Sequence, residues 1–328
     1  MKKILLIIGL ISLGIIYKVN FTNSSSKEKS KIRIAIFSWS NSKGYIENIQ
    51  SFKGSLEKYG LVNNKNIIFK EYLSNTSRKK QNELAIEARS WKPNLIYSLT
   101  TPGTLIVKEH FKSIPIVFSI VTYPVEAKII HSLKNSTNNL VGTRNYVSAE
   151  TQIKLLLKIK PKTKLVGFVR RDIESNSNIQ FKDFKKNLLK RGIEIFDIKA
   201  KNLNSLKYQL SNISKKMDVL YSACDTLLQS GGEELVIEHS LSNNILPFSC
   251  NKRGVRDGSL FGIVVDLSTI GSLSGEKAAK IILEKLTPSE LVSESTSKVN
   301  IILNFRTLKK LKLTISNEVL SNVSEVIY

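Results

Sequence analysis

Short apolar runs without polar alternation recur along the chain. Asn94-Leu-Ile-Tyr-Ser-Leu99 and Ile114-Pro-Ile-Val-Phe-Ser-Ile-Val121 are the clearest. Such runs read as strands buried on both faces of a parallel sheet. Each ends in a polar tip, Thr100-Thr-Pro-Gly-Thr104 after the first and Thr122-Tyr-Pro124 after the second. A short helix is predicted over 103–112 between them. In open parallel sheets, ligands bind beyond the carboxyl ends of the strands. The strand tips are therefore where function is sought.

The same alternation runs from 31 to 145. Arg33–Phe37 predicts a strand with Ser38-Trp-Ser-Asn-Ser42 as its tip. A helix follows with Ile46, Ile49, Phe52, Leu56 and Tyr59 on one face, stopped by Gly60. Asn66–Lys70 is a second strand. Ser77 is placed to cap a helix carrying Leu84, Ala85, Ala88 and Trp91, and Leu140–Thr143 is a short strand. The pattern then restarts. Gln152–Lys160 is helical, and Lys164–Val169 is a strand followed by the loop Arg170–Ser177. Helices are predicted behind Phe181, Phe184, Leu188 and Leu189, over Leu203–Lys216, and after the Ala223–Thr226 tip to about Asn243. Strands are predicted at Ile193–Ile198, Val219–Ser222, Ile245–Phe248 and Leu260–Val265. Leu273–Leu286 is a helix, Val299–Leu303 strand-like, and Thr307–Leu311 a final short helix.

Two successive series of this kind predict an α/β protein of two doubly wound parallel-sheet lobes with a hinge and an inter-lobe cleft. Crossings are expected near 145, 265 and 295. They assign 31–145 plus about 266–290 to lobe 1, and 146–265 plus about 291–328 to lobe 2. A chain of 328 residues suits two cores rather than one. The amino terminus is separate. Met1-Lys-Lys precedes an apolar segment, Ile4–Tyr17, uncharged until Lys18. This is the signature of a secretory signal, shorter than the roughly 20 residues of a spanning helix. No small-x-small cleavage site and no lipobox cysteine follow. Residues 1–20 read as a signal peptide or a retained anchor, and 21–30 as a linker. The protein is expected outside the cytoplasm, in the periplasm or on the outer face of the cytoplasmic membrane.

The formal charge of +23 admits binding to an anionic surface, but the basic residues are dispersed over predicted outer helix faces. A compositional drift toward lysine is favoured, and no nucleic-acid partner is expected. The chain has three widely spaced histidines and two cysteines, Cys224 and Cys250. No metal ligand set forms. The cysteines sit at the ends of two strands, so a disulfide and a pair of buried thiols are both open. There is no G-x-G-x-x-G after the first strand, no G-x-S-x-G elbow and no P-loop, since Gly271-Ser-Leu-Ser-Gly-Glu-Lys277 has the wrong spacing. An enzyme and a cofactor are not expected.

The tips suit a zwitterion. Helix amino ends and the hydroxyls of Ser40, Thr100, Thr101, Thr122, Ser175 and Ser177, with Asn176, fit a carboxylate. Glu174, Asp225 and Asp266 are the acids for an ammonium. Trp39 and Tyr123 are flat partners for an aromatic side chain. Each has a plainer alternative: the hydroxyls and Asp225 as helix caps, and Trp39 as core.

From about Lys31 to Ser316 the chain resembles the ABC-transporter substrate-binding proteins related to the tryptophan/tyrosine-type binding proteins. The resemblance rests on Lys92-Pro-Asn-Leu-Ile with Thr100-Thr-Pro102, Ile114–Val125, Asn139-Leu-Val-Gly-Thr143, Glu174-Ser-Asn-Ser177, Asp225-Thr226 and the tail Ile302–Ile315. It implies a type I periplasmic binding fold and a small ligand held between the lobes. It also implies delivery to an ABC permease in the membrane. By position it puts Thr100, Thr101, Thr122, Glu174–Ser177 and Asp225 on the cleft. Tyr123 stands where relatives usually carry Asp, and Ser175 where they often carry Pro, which bears on ligand identity. The expectation is an exported, monomeric solute-binding protein for an amino acid, possibly an aromatic one. The alternative is a membrane-tethered ligand-sensing domain.

Overall fold

The structure, a computed structural model, describes residues 31–328 apart from 297. The signal or anchor expected at 1–20 and the linker at 21–30 lie outside the described residues. Among the described residues no helix is long and apolar enough to cross a membrane.

Two sheets with interleaved helices make up the molecule. The first contains β1 (Ile32–Ser38), β2 (Ile67–Leu73), β3 (Leu95–Leu99), β4 (Ile116–Val121) and β5 (Leu140–Arg144). Its order is β2-β1-β3-β4-β5, and all neighbours are parallel. Every residue of β3 and β4 is buried, as their unalternating composition requires. Helices α1 (Lys43–Lys58), α2 (Arg78–Trp91) and α3 (Thr101–His110) connect the strands. The second sheet contains β6 (Leu165–Arg171), β7 (Glu194–Ala200), β8 (Val219–Ser222), β9 (Leu246–Ser249), β10 (Phe261–Val265), β11 (Val299–Asn304) and β12 (Glu325–Ile327). Its helices are α4 (Ala149–Ile159), α5 (Ser175–Leu189), α6 (Leu203–Ser211), α7 (Gly232–Ser242) and α8 (Lys252–Asp257). Its order is β12-β11-β10-β9-β8-β6-β7, with one antiparallel pair, β10 with β11.

That antiparallel pair records a detour. After β10 the chain leaves the second sheet and forms α9 (Leu267–Leu283), which packs on α1 and on β4 and β5 of the first. It then returns as β11 with no helix laid over the second sheet in between, so β11 enters from the opposite end. Two short helices, α10 (Phe305–Lys310) and α11 (Asn317–Leu320), close the chain. Val147 and Val299, in the crossing segments, pack against the cores of both lobes.

The contact between α1 and α9 corrects the face read from sequence for α1. Ile46 and Tyr59 are exposed, while Tyr45, Asn48, Ile49, Phe52, Ser55 and Leu56 are buried. Helix α9 lies on the small and polar positions of that face. A Cβ on Gly271 would lie 2.3 Å from the Asn48 carbonyl oxygen, and one on Gly275 would lie 2.7 Å from that of Phe52. The backbones thus meet where both helices are stripped of bulk. Asn48 anchors the seam. Its Nδ2 donates to Ser119 Oγ (3.1 Å) and to the Leu267 carbonyl (2.7 Å), and its Oδ1 accepts from Tyr97 Oη (2.5 Å). Ser119 Oγ lies 3.2 Å from Thr143 Oγ1, which donates to the Ile270 carbonyl at 3.0 Å. Helix α9 begins at Leu267, earlier than the expected Leu273, because Asp266 Oδ1 accepts from Thr269 N at 2.8 Å and caps it.

Other boundaries shift for local reasons. Helix α6 ends at Ser211, not Lys216, with Asn212 at its cap. The long helix expected after the Ala223–Thr226 tip, running to about Asn243, is broken. A 3-10 turn over Leu228–Ser230 is followed by Gly231 at φ +107°, and α7 starts afterwards. Helix α8 and strand β12 have no counterpart in the hydrophobic pattern.

The glycines yield a paired prediction. Gly271→Ala should destabilise by roughly 1–3 kcal/mol, because the added methyl meets backbone that cannot yield. Gly54, in the middle of α1 with open space around its Cβ position, should become more stable by about 0.4–1 kcal/mol as alanine. Thermal melts of the two variants should therefore move in opposite directions.

Candidate functional site

Tips from both sheets meet along a narrow seam. From the first lobe come Thr100, Thr101, Ile120 and Thr122; from the second come Glu174, Asn176, Asp225 and Thr226. Tyr45 at the start of α1 and Gln229 in the 3-10 turn close it, with Tyr45 Oη donating to Gln229 Oε1 at 2.9 Å. Among the described residues this is the one side-chain hydrogen bond across the seam. The seam encloses about 20 Å³, room for a single water.

The first-lobe wall is held in an unusual backbone geometry. Thr100 has φ +71° and ψ +156°, and Ile120 has φ +56° at a register shift between Phe118 and Val121. Positive φ is rare for β-branched residues and costs on the order of 1–3 kcal/mol each. Neighbouring hydrogen bonds impose it. Thr100 N donates to the Ser119 carbonyl at 3.0 Å, and Thr100 Oγ1 accepts from Gly103 N at 3.3 Å. The result places the amino end of α3 at the seam, with its partial positive charge.

The second-lobe wall is acidic. Glu174 is buried and paired with Arg171 Nη1 at 3.0 Å; it also accepts from Thr226 Oγ1 and from Thr226 N. Asp225 is buried, accepting from Arg171 N at 2.6 Å and from Leu228 N at 3.0 Å. Burial, with the neighbouring Glu174 adding, pushes its carboxyl up to about 7. Asn176 Nδ2 donates to the Cys224 carbonyl at 2.6 Å, and its Oδ1 is buried without a partner. Cys224 and Cys250 are joined in a disulfide, with Cα atoms 5.5 Å apart, which ties the tips of β8 and β9.

Beside the seam is a larger chamber of about 450 Å³. It shares Tyr45, Ile120, Asn145 and Gln229 with the seam and reaches the tips of β9 and β10.

Of the residues singled out from sequence, Thr100, Thr101, Thr122, Glu174, Asn176 and Asp225 come together on the seam. Asp266 lines the larger chamber while capping α9. The others lie elsewhere. Trp39 is in the core of the first lobe. Ser40 Oγ accepts from Ser42 N at 3.4 Å within the β1 tip. Tyr123 is buried edge-on against Tyr146, with ring centroids 5.6 Å apart. Ser175 is the first residue of α5. Ser177 Oγ donates to the carbonyls of Arg171 (3.0 Å) and Glu174 (3.3 Å), knitting the loop. Sequence reasoning missed Tyr45, Ile120, Asn145, Gln229 and Glu233. The Gly231-Gly232 pair was the available signal for Gln229, since it ends the turn that presents that residue.

The family model described as "ABC transporter substrate binding protein" matches residues 33–327. A tyrosine-binding protein of Clostridioides difficile is 27% identical over 265 residues, 80% of this chain and 76% of that protein. Among solved structures, a Streptococcus pneumonia ABC domain in complex with L-Trp superposes with a TM-score of 0.85 at 19% identity, covering 91% of this chain and 100% of that one. The ligand-free, open structure of a Clostridium difficile substrate binding protein with adhesive properties gives 0.72 at 26% identity, covering 90% and 99%. The fold is that of the type I periplasmic binding proteins. The chain belongs to the ABC transporter substrate binding protein family, and is a solute-binding protein rather than an enzyme.

Proposed function

We propose that this chain is the exported receptor of an ABC importer. In this reading it captures an aromatic amino acid between its lobes and passes it to a membrane permease. The observation that carries this reading is the chemistry of the seam. One wall offers hydroxyls and the amino end of α3, suited to a carboxylate. The facing wall offers Asp225 and Glu174, suited to an ammonium. Asn176 Oδ1, buried and unpartnered, is a further acceptor. The relatives that hold tyrosine and tryptophan point to the same ligand class.

A cavity of about 20 Å³ has no room for an amino acid, so the lobes must part for entry. The TM-score of 0.72 against the open, ligand-free relative fits an arrangement that differs from that open one. The crossings near 145, 265 and 295 would form the hinge between lobe 1 (31–145 plus about 266–290) and lobe 2 (146–265 plus about 291–328). Both walls come from one chain, so a monomer suffices. Residues 1–20 would direct export.

Calorimetry with a panel of amino acids tests the reading. Tyrosine, tryptophan or phenylalanine should bind, and Asp225→Asn should weaken binding about 30-fold or more, roughly 2 kcal/mol, the lower range for removing one partner of a buried charged pair. Silence across the panel from folded protein would end the proposal.

A second prediction concerns pH. An ammonium ligand needs Asp225 ionised, and its carboxyl is held up to about 7. Affinity should rise with pH below about 7 and level off above it, with proton release on binding near pH 6. Stability of the empty protein should run the other way. Folded Asp225 keeps a proton that the unfolded chain releases near pH 4, so its contribution is present below that pH and lost as pH rises through 7. Asp225→Asn should flatten both trends.

A further inference from the structure

The larger chamber contains a recognition group that the seam does not use. Most charges around it are already matched. Arg253 pairs with Glu234 (2.7 Å) and Asp257 (3.1 Å); Lys252 and Arg256 pair with Glu325; Lys43 lies 4.0 Å from Glu47. Asp266 is engaged in capping α9. Glu233 differs. It is buried, 4% exposed, and has no cation partner. Its Oε2 accepts from Asn251 Nδ2 at 2.7 Å, while its Oε1 makes no hydrogen bond, the neighbouring Ser249 hydroxyl donating instead to the Asn251 carbonyl at 2.9 Å. The setting is built around it. Asn251 is itself fixed, accepting from Gly254 N at 2.8 Å and donating from its own N to Ser249 Oγ at 3.0 Å. A Cβ on Gly254 would lie 2.2 Å from the Glu233 carboxyl, so the absence of a side chain there makes its room.

A buried acceptor without a donor costs about 1–3 kcal/mol. It persists most simply where a ligand supplies the donor. Leu228, Val264, Val265 and Leu267 give the same chamber apolar walls. The Tyr45–Gln229 pair stands between chamber and seam, because both residues line both.

We propose that Glu233 reads the far end of the ligand. Once the Tyr45–Gln229 contact opens, the α-carboxylate and ammonium sit between the walls of the seam, the aromatic ring passes Tyr45 and Gln229 into the chamber, and a ring hydroxyl donates to Glu233 Oε1. The chamber thereby selects a hydroxylated aromatic amino acid over its unsubstituted counterpart. This rests on the zwitterion reading of the seam and adds a residue that sets specificity. Burial pushes the Glu233 carboxyl up to about 7, against the opposing pull of the Ser249 and Asn251 side chains. Sites built to bond a ligand hydroxyl reject the analogue without it strongly, because their own polar group is then left unpaired.

The test is calorimetry of the full chain with tyrosine and with phenylalanine. The wild-type protein should bind tyrosine about 30-fold or more tighter. Glu233→Ala should bring the ratio below about threefold, and Glu233→Gln, which keeps an acceptor, should fall between. Equal wild-type affinities overturn the inference without need of any variant, so a poorly folding Glu233→Ala does not shelter it. A tyrosine preference that survives unchanged in a folded Glu233→Ala also overturns it. In both cases the seam reading stands. Binding of neither amino acid removes the seam reading, and this inference with it.

Discussion

Backbone contact between α1 and α9 is the constraint on which the rest of the molecule depends. The chain enters α9 from the second sheet, yet α9 belongs by packing to the first. Glycine at 271 and 275 lets its axis approach α1 until a methyl group would strike the carbonyls of Asn48 and Phe52. Side chains of ordinary size would hold the helices farther apart. The Asn48 hydrogen bonds to Leu267 and Ser119 would then be lost, leaving buried polar groups without partners. Because α9 is pinned there, the chain must cross before it and again after it. Those crossings make the lobes two bodies joined by several strands of chain rather than one.

From that arrangement the site follows with little added. Parallel strands end on one side of each sheet, so once the lobes face each other their tips meet. What is particular to this chain is the asymmetry of the two walls. Hydroxyls and a helix amino end come from the first lobe, and carboxylates from the second. Two β-branched residues at positive φ, Thr100 and Ile120, lie on the first-lobe wall. Their neighbours hold the backbone in place, so the wall is preorganised and a ligand need not order it.

Much of this was legible in the sequence. The strands were, because unalternating runs such as Leu95–Leu99 have no other stable place than inside a parallel sheet. Six of the tip residues were legible by the same logic. What escaped depends on packing between distant segments. The buried face of α1 keeps the expected Ile49, Phe52 and Leu56 but replaces Ile46 and Tyr59 with Tyr45, Asn48 and Ser55, and the last two look polar until α9 is laid over them. Gly271 and Gly275 looked like a failed phosphate loop, and only the partner helix explains them. Trp39 sits in a run of polar residues and was read as an aromatic wall or as core; the choice depended on the space behind Gly103, where its ring lies. Gln229 and Glu233 follow or adjoin a chain break that helical periodicity smooths over.

The energetics of the empty molecule fit a receptor. A single neutral hydrogen bond, Tyr45 to Gln229, links the walls across the seam, worth about 0.5–1.5 kcal/mol. Ile179 of α5 packs against the first lobe and adds a small apolar contact. Against these stand Asp225, buried without a direct cation partner, and the unpartnered oxygen of Asn176, both on the seam. Closure without ligand therefore gathers polar groups that water would otherwise solvate, and gains little in return. A ligand carrying the missing donors reverses the balance, because the groups that oppose empty closure are the ones it satisfies. In the proposed function, the same residues would set both affinity and the bias between open and closed forms. Relieving Asp225 by an apolar substitution should favour closure of the empty protein even as it removes the reason to bind.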